Sequence, residues 1–348
     1  MPFREPKATV VCSAIDHRSK FQHFQDSNRH LDCITTYISI PQALLNRSSL
    51  LPAYLSVGGL TGGLFGLLFS LLYQRSRGLA QQLRQAIRKD RLQVVYQPIV
   101  DLASGRIVGS EALARWTDEA GIAVGPDVFV KVAEERGFVG AITQLVLRHA
   151  LRDFGETLRS RPAFRLSINI AAADLADPAF LPMLERSLEL EKVPAHRLAI
   201  EITESSTVRH RDAVDTILRL RQKGHAVHID DFGTGYSSLS YLHDLSVDAI
   251  KIDKTFIQAI GTDSVILGIL PQILAIAEAL ELEVIVEGVE TFPQARYFAD
   301  TGRPILAQGW LFGRPVPAEV LLHMLATDGV GLSVPRPLLN NWRVHKTC

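Results

Sequence analysis

The chain has 348 residues, with 37 Lys+Arg against 37 Asp+Glu. That length holds one large domain and something smaller, and the zero net charge gives no support to a general role on DNA or RNA polymers. The three cysteines, Cys12, Cys33 and Cys348, have no CxxC spacing, which argues against a zinc site built on thiolates.

Residues 1–49 are polar and irregular, with mixed charges and no sustained period. The spacing of His17, His23 and His30 suits no common metal motif, so this part reads as a solvated segment. Cys12 and Cys33 can pair if the segment lies in an oxidising compartment, and the sequence leaves that open. Leu50–Tyr73 contains no charged residue and is long enough to cross a bilayer as a helix, for which ~20 residues are needed. Gly58, Gly62 and Gly66, and likewise Gly59 and Gly63, have the small-xxx-small spacing that lets membrane helices approach closely. Glycine is also simply common in such helices. Arg75, Arg77, Arg84, Arg88, Lys89 and Arg91 follow the span, whereas the nearest basic residues before it are Arg47 and Arg29. The positive-inside bias therefore places the C-terminal side in the cytoplasm and residues 1–49 outside it. No signal peptide or earlier span precedes them, so either a short tail is translocated or an upstream segment is lacking.

Residues 74–90 read as a linker helix. Leu79, Leu83, Ala86 and Ile87 share one face, and the helix either relays a signal or spaces the next domain. From Arg91 onward, strand-like and helix-like stretches alternate. The expected strands are Leu92–Val100, Ile107–Glu111, Arg165–Ile170, Leu198–Ile202, Ala226–Asp230, Ala249–Ile252, Glu283–Glu287 and Ile305–Gln308. The expected helices are Pro126–Arg136, Ile142–Arg159, Leu181–Glu189, Asp212–Lys223, Val265–Leu280 and Pro293–Asp300. This alternation predicts an α/β fold, a (β/α)8 TIM-like barrel or an open doubly wound sheet.

Within it, His228–Leu242 (HIDDFGTGYSSLSYL) reads as a strand end, a glycine loop and a helix start, with Ser237 or Ser238 as N-cap. Asp230 and Asp231 are adjacent, so they face one site only if the chain bends there, which Gly233 and Gly235 permit. Taken alone, the pair reads rather as an Asp N-cap beside a solvated carboxylate, and the rest of the chain reverses that preference.

The placement of polar residues favours the barrel. Glu111, Asn169, Glu201, Asp230, Lys251, Glu287 and Gln308 each fall at or near the C-terminal end of a different expected strand, the face where barrel enzymes gather their chemistry. Helix capping does not account for them, because Glu, Lys and Gln are poor N-caps. Glu111, Asn169, Glu201, Asp230, Asp231 and Glu287 form a hard, oxygen-rich set that suits Mg²⁺ or Mn²⁺ rather than zinc. It exceeds what one ion needs, so two ions sharing a carboxylate are expected, an arrangement suited to in-line phosphoryl displacement. Arg115 carries the planar fork that fits a phosphate. Ca²⁺, larger and tolerant of irregular geometry, is expected to occupy such a site and inhibit.

The segments YQPIVD, EALARW, SINI, EITES, DDFGTGYSSL, KIDK, VEGVE and QGWLFGRP, in that order between Arg91 and Leu325, resemble the EAL domain of bacterial cyclic di-GMP phosphodiesterases. The resemblance implies a modified TIM barrel over residues 91–325 that hydrolyses cyclic di-GMP to 5′-pGpG with two Mg²⁺ or Mn²⁺ ions, followed by a tail over 326–348. It makes Glu111, Asn169, Glu201, Asp230, Asp231 and Glu287 the metal ligands, and Lys251 the catalytic lysine that positions the nucleophilic water, acting with Glu111 and Glu287. It assigns Arg115 to a substrate phosphate, and Gln97, Leu113, Asp253 and Gln308 to the substrate pocket. Glu204 and Glu290 match carboxylates that hold the DDFGTGYSSL loop. It further implies cyclic di-GMP and the membrane as partners, a homodimer through the EAL domain, and a single-pass protein of the bacterial inner membrane with a periplasmic N-terminal segment and a cytoplasmic catalytic domain.

The arrangement also resembles the class with a periplasmic Cys-Ser-Ser sensor, although Cys12-Ser13-Ala14 departs from that motif at its third position. His228 stands where the family has a small apolar residue, and strand alternation makes it a packing group. The alternatives to an enzyme are a non-catalytic cyclic di-GMP receptor and a membrane signalling scaffold.

Overall fold

The computed structural model describes residues 51–204, 211–233, 247–262 and 265–327, with the backbone alone at 51–55, 57, 70–77, 211–213 and 265–266. Expectations for residues 1–50 lie outside these, including the Cys12–Cys33 pairing and the three histidines. The chain divides after Tyr73 into two compact units.

Helix α1 (Leu51–Arg88) starts in the first unit and ends in the second. In the first unit Leu60, Leu64, Phe65, Leu67, Leu68 and Phe69 are all exposed. Among the described residues no helix is long and apolar enough to cross a membrane. Part of the expected span, Leu50–Tyr73, falls on residues or side chains outside that description.

In the second unit the end of α1 is built into the core. Leu83 and Ala86 are buried in the main hydrophobic cluster, with Leu79 and Ile87 packed against it. The Arg84 guanidinium lies 4.5 Å from the centroid of the Phe138 ring and donates to the Arg136 carbonyl at 3.0 Å. Asp90, in the left-handed region at φ 54°, ends the helix. Its carboxylate takes Arg148 at 2.6 Å and His149 at 2.8 Å.

The barrel is closed. Strands β1 (Gln93–Asp101) and β2 (Arg106–Thr117) form an antiparallel hairpin. Its turn is held by the Asp101 carboxylate, which accepts from the backbone N–H groups of Ala103 and Ser104. A short strand β3 (Ala123–Val124) pairs only with the outer end of β2. From β2 the sheet runs in parallel through β4 (Arg165–Asn169), β5 (Leu198–Thr203), β6 (Ala226–Phe232), β7 (Ala249–Ile252), β8 (Glu283–Val286) and β9 (Ile305–Ala307). β9 returns antiparallel to β1 and closes the ring. An open doubly wound sheet is excluded.

Helices α2 (Pro126–Glu135), α3 (Val139–Ser160), α4 (Ala172–Leu175), α5 (Phe180–Glu191), α6 (Arg211–Gln222), α7 (Lys254–Gln258), α8 (Leu270–Ala279), α9 (Phe292–Ala299) and α10 (Ala318–Ala326) lie along the chain between and after these strands. The main core fills the layer between strands and helices. There Phe154 of α3 sits between Tyr96 (centroids 4.6 Å apart) and Phe164 (5.8 Å). A second, smaller cluster of Ile99, Ala249 and Ile285, with Val108 and Leu306 against it, is formed by residues of β1, β2, β7, β8 and β9. At the N-terminal ends of the strands Arg165 Nη2 bonds both Glu283 oxygens, at 2.6 and 2.7 Å, and joins β4 to β8 across the ring.

Three expectations need correction. Glu111 does not end its strand: β2 continues to Thr117, because the antiparallel ladder with β1 carries Glu111 through to Arg115 opposite Gln93. A charged residue inside a strand reads as a boundary until its partners are known. The single helix expected over Val265–Leu280 is a 3-10 turn, Val265–Gly268, followed by α8, since Pro271 lacks the N–H needed to continue a helix through it. Helix α10 was not expected, although Leu321 and Leu325 bury its apolar face.

Because Leu83 is fully buried, Leu83→Ala is expected to lower the stability of fragment 75–348 by about 2–5 kcal/mol in a denaturant titration. An unchanged midpoint would show α1 to be a mere spacer.

Candidate active site

The C-terminal ends of the parallel strands gather carboxylates around one lysine. Lys251, the third residue of β7, is fully buried. Its Nζ lies 2.7 Å from Glu287 Oε1, 2.8 Å from Glu201 Oε2, 3.3 Å from Asp230 Oδ1 and 3.4 Å from Glu111 Oε2. Burial would pull an isolated ammonium toward neutrality, but Asp230, Glu111, Glu201 and Glu287 together hold Lys251 well above its usual value.

One ammonium cannot neutralise four carboxylates, and the surplus charge shifts their proton affinities. Burial, then the Glu111 and Asp230 charges, push Glu201 well above the usual range despite Lys251. Burial with Asp230 and Glu111 raises Glu287 to about 8. Asp231 is also raised, by burial and by Asp230. Glu111 goes the other way: burial alone would raise it, but Lys251 and hydrogen bonds from Gln308 and Asn169 hold it below the usual value.

The oxygens fall into two sets. Those of Glu111, Glu201 and Asp230 lie within 4.8 Å of one another, and so do those of Asp230, Asp231 and Glu287, with Asp230 common to both. Among the described residues no histidine or cysteine belongs to either set. Hard oxygen donors carrying excess negative charge fit Mg²⁺ or Mn²⁺. Glu201 Oε1 adds to the fit, being buried and without a hydrogen-bond partner.

A kink brings Asp230 and Asp231 together. The β6–β7 register slips between Ile229 and Phe232, and Asp231 is itself left-handed at φ 55°. The bend therefore lies in Asp231 and not, as expected, in the glycines alone. Gly233 follows at φ 95°, where a Cβ would also meet the Phe256 ring at 2.7 Å. The Gly233 N–H donates to Glu204 Oε2 at 3.2 Å, which ties the start of the loop to the end of β5. The rest of the loop, with Gly235, Ser237 and Ser238, lies outside the described residues. Glu290 is exposed, and the loop it is expected to hold lies outside them too.

The remaining expected residues are placed as follows. Asn169 pairs in register with Glu201 and donates to Glu111 Oε1 at 2.5 Å. Gln308, just past β9, donates to Glu111 Oε2 at 2.8 Å and to Gln97 Oε1 at 3.0 Å, and Gln97 donates to the Gly313 carbonyl at 3.2 Å. Leu113 and Arg115 follow Glu111 at alternate positions of β2, so they share its face of the sheet, and both are half-buried. Arg115 bonds the Ala114 carbonyl at 2.9 Å. Burial draws its guanidinium below the usual value, against the pull of Glu111. Asp253 is buried and caps α7 through the Thr255 N–H at 2.9 Å.

Sequence reasoning missed two glycines that shape this face. At Gly309 a Cβ would lie 2.1 Å from the Val289 carbonyl oxygen, so only glycine lets the chain after Gln308 pass the chain after Glu287. Gly288, at φ 68°, would meet the Lys254 Cβ at 2.4 Å. The signal was the glycine beside a site residue in VEGVE and QGW. His228, expected as packing, is buried with Nδ1 at 3.8 Å from Glu201 Oε1. Burial depresses its imidazole to about 4.

Comparison with known proteins adds a family. Residues 80–315 match the EAL domain. The probable cyclic di-GMP phosphodiesterase PdeB of Escherichia coli K12 is 38% identical over 241 residues, which are 69% of this chain and 46% of that protein. The cyclic di-GMP phosphodiesterase NbdA of Pseudomonas aeruginosa PAO1 is 38% identical over 264 residues, 75% of this chain and 34% of that protein. A solved structure of the PaMucR phosphodiesterase in complex with c-di-GMP superposes with a TM-score of 0.66 at 34% identity, covering 70% of this chain and 99% of that one. The chain spans less than half the length of the two curated relatives.

The charge excess sets a pH dependence. A carboxyl raised from the usual 4.5 to about 8 stabilises the fold below 4.5 and loses that contribution as pH rises through about 8. Glu201 acts with the same sign, whereas the depressed Glu111 is already fully favourable above its usual value. In EDTA the melting temperature of fragment 75–348 is therefore expected to fall across that window, and Mg²⁺ or Mn²⁺ to flatten the slope. A flat profile in EDTA would contradict the charge excess.

Proposed function

Since the chain belongs to the EAL-domain family, we propose that its barrel is a metal-dependent phosphodiesterase that hydrolyses cyclic di-GMP to 5′-pGpG and so lowers that second messenger. The carrying observation is Lys251, buried at 2.7–3.4 Å from four carboxylates of two oxygen sets that share Asp230. The similarity to proteins named cyclic di-GMP phosphodiesterases supports the same reading.

Glu111, Asn169, Glu201, Asp230, Asp231 and Glu287 would hold two Mg²⁺ or Mn²⁺ ions. Bound, the ions supply the positive charge that admits an anionic phosphodiester and stabilises charge developing on its oxygens. The chain supplies the rest. Arg115 takes a non-bridging phosphate oxygen, and Gln97, Leu113, Asp253 and Gln308 line the nucleotide pocket. The Lys251 ammonium, immobilised by its carboxylate cage, donates to the attacking water and fixes it for in-line approach. Water oxygen joins phosphorus, the P–O3′ bond breaks, and the 3′ oxygen leaves with a proton, giving a linear dinucleotide with a 5′ phosphate. Glu204 and Glu290 hold the loop that follows Asp231, keeping that carboxylate beside Asp230.

We read Leu50–Tyr73 as a single membrane span at a bacterial inner membrane, with residues 1–49 periplasmic and the barrel cytoplasmic, where the nucleotide is made. The support is a helix whose large apolar side chains from Leu60 to Phe69 are exposed, followed by a basic flank. The barrel is read as a homodimer, as the family resemblance implies.

Fragment 75–348 is expected to convert cyclic di-GMP to 5′-pGpG with Mg²⁺ or Mn²⁺, and Ca²⁺ to inhibit. Glu111→Ala should abolish turnover. Lys251→Ala should do so while the nucleotide still binds. Tight binding by the wild type without linear product would favour a receptor, and no binding would favour a scaffold.

Removing the tether by Glu204→Ala should lower turnover and metal affinity together, by about 10–100-fold. Normal values would make Glu204 incidental. Alkaline phosphatase fused after Cys348 should be inactive, and activity there would overturn the orientation.

A further inference from the structure

His228 is an odd residue to bury. It lies in the middle of β6, in register with Glu201 on one side and Ala249 on the other. It is 3% exposed, and neither ring nitrogen has a hydrogen-bond partner. A group that merely packs gains nothing from two polar atoms, and leaving a buried donor or acceptor unpaired costs about 1–3 kcal/mol each. Ala249, its register partner on β7, is fully buried and small beside the ring.

The charged groups that act on the ring locate it. Glu283 and Arg165 belong to the ion pair at the N-terminal ends of the strands, Lys251 to the site above, and Asp248 precedes β7. The imidazole thus sits between that ion pair and the carboxylate cage. The polar atom facing it is Glu201 Oε1, 3.8 Å from Nδ1, and Oε1 is itself buried without a hydrogen-bond partner. Two unpaired polar atoms therefore face each other just beyond bonding distance. Rotation about the terminal torsion of a glutamate is soft, so a small turn of the Glu201 carboxylate closes the gap. Its other oxygen, Oε2, is held by Lys251 at 2.8 Å, which sets the axis of that turn.

We propose that His228 is a positioning residue, its Nδ1–H donating to Glu201 Oε1 and orienting that carboxylate toward a divalent cation. This rests on reading Glu201 as a metal ligand. Groups of this kind, one step behind a ligand, act by fixing its orientation, and their loss typically weakens metal binding by about 10–100-fold. His228 contacts no substrate and takes no proton in the reaction.

The test compares His228→Val, which keeps packing and removes the donor, with His228→Asn, whose amide N–H falls near the place of Nδ1. In the full chain, Mn²⁺ affinity read by electron paramagnetic resonance should fall about tenfold or more in the valine variant and recover in the asparagine variant. Unchanged Mn²⁺ affinity on valine substitution, or equal losses in both variants, would overturn the proposal and leave His228 as packing. The tautomer decides without any variant: the ¹⁵N spectrum of His228 should show a protonated Nδ1, and an unprotonated Nδ1 sinks the idea. Because none of these readings needs turnover, a wild-type chain that binds Mn²⁺ but cuts nothing would defeat the proposed activity and leave this assignment standing.

Discussion

One buried ammonium inside four carboxylates is the interaction on which the rest of this structure depends. A lysine with no solvent contact is costly unless its charge is matched, and here it is over-matched. The surplus negative charge has two consequences. It raises the proton affinity of Glu201, Asp231 and Glu287, and it makes the face hospitable to hard divalent cations. The same groups are thus unfavourable for the bare fold and suited to chemistry on an anionic phosphodiester.

Such a cage requires closure of the barrel. Glu111 comes from β2, Glu201 from β5, Asp230 from β6, Lys251 from β7 and Glu287 from the end of β8. Only a sheet curled on itself brings β2 and β8 within reach of one Nζ atom. The antiparallel β1 completes the ring between β9 and β2, and it also delivers Gln97, which with Gln308 supports the Glu111 carboxylate. Local backbone irregularity then refines the geometry. The left-handed Asp231 turns a second carboxylate toward Asp230, and Glu204 anchors the backbone two residues later. Strain at that point is tolerated because β5 and β7 pin the strand on both sides.

The second unit also absorbs the end of α1. Leu83 and Ala86 belong to the same core as β1 and α3, so residues 79–87 are part of the barrel's own packing. α3 meets α1 through the Asp90 ion pairs and meets β1 through Tyr96, whose hydroxyl donates to Asp153 at 2.7 Å. β1 in turn carries Gln97 toward the site. Within the second unit this gives a contiguous path of packed groups from the end of α1 to a hydrogen bond next to Glu111.

The sequence by itself determined the alternation of strands and helices, because buried strands and amphipathic helices carry local hydrophobic periods. It also determined the oxygen-rich character of the site, because Glu111, Glu201, Asp230 and Glu287 sit within apolar strand-like runs where a charge has no local reason to be. It did not show that β2 runs past Glu111, that Asp231 itself makes the bend, or that α1 joins the core. Nor did it separate His228 from ordinary packing. Each of these depends on partners elsewhere in the chain: a ladder with β1, a register slip against β7, a core shared with β1 and α3, an unpaired oxygen on β5. Local periodicity reports which face of an element is buried. Only the closed barrel decides what each buried polar atom meets there.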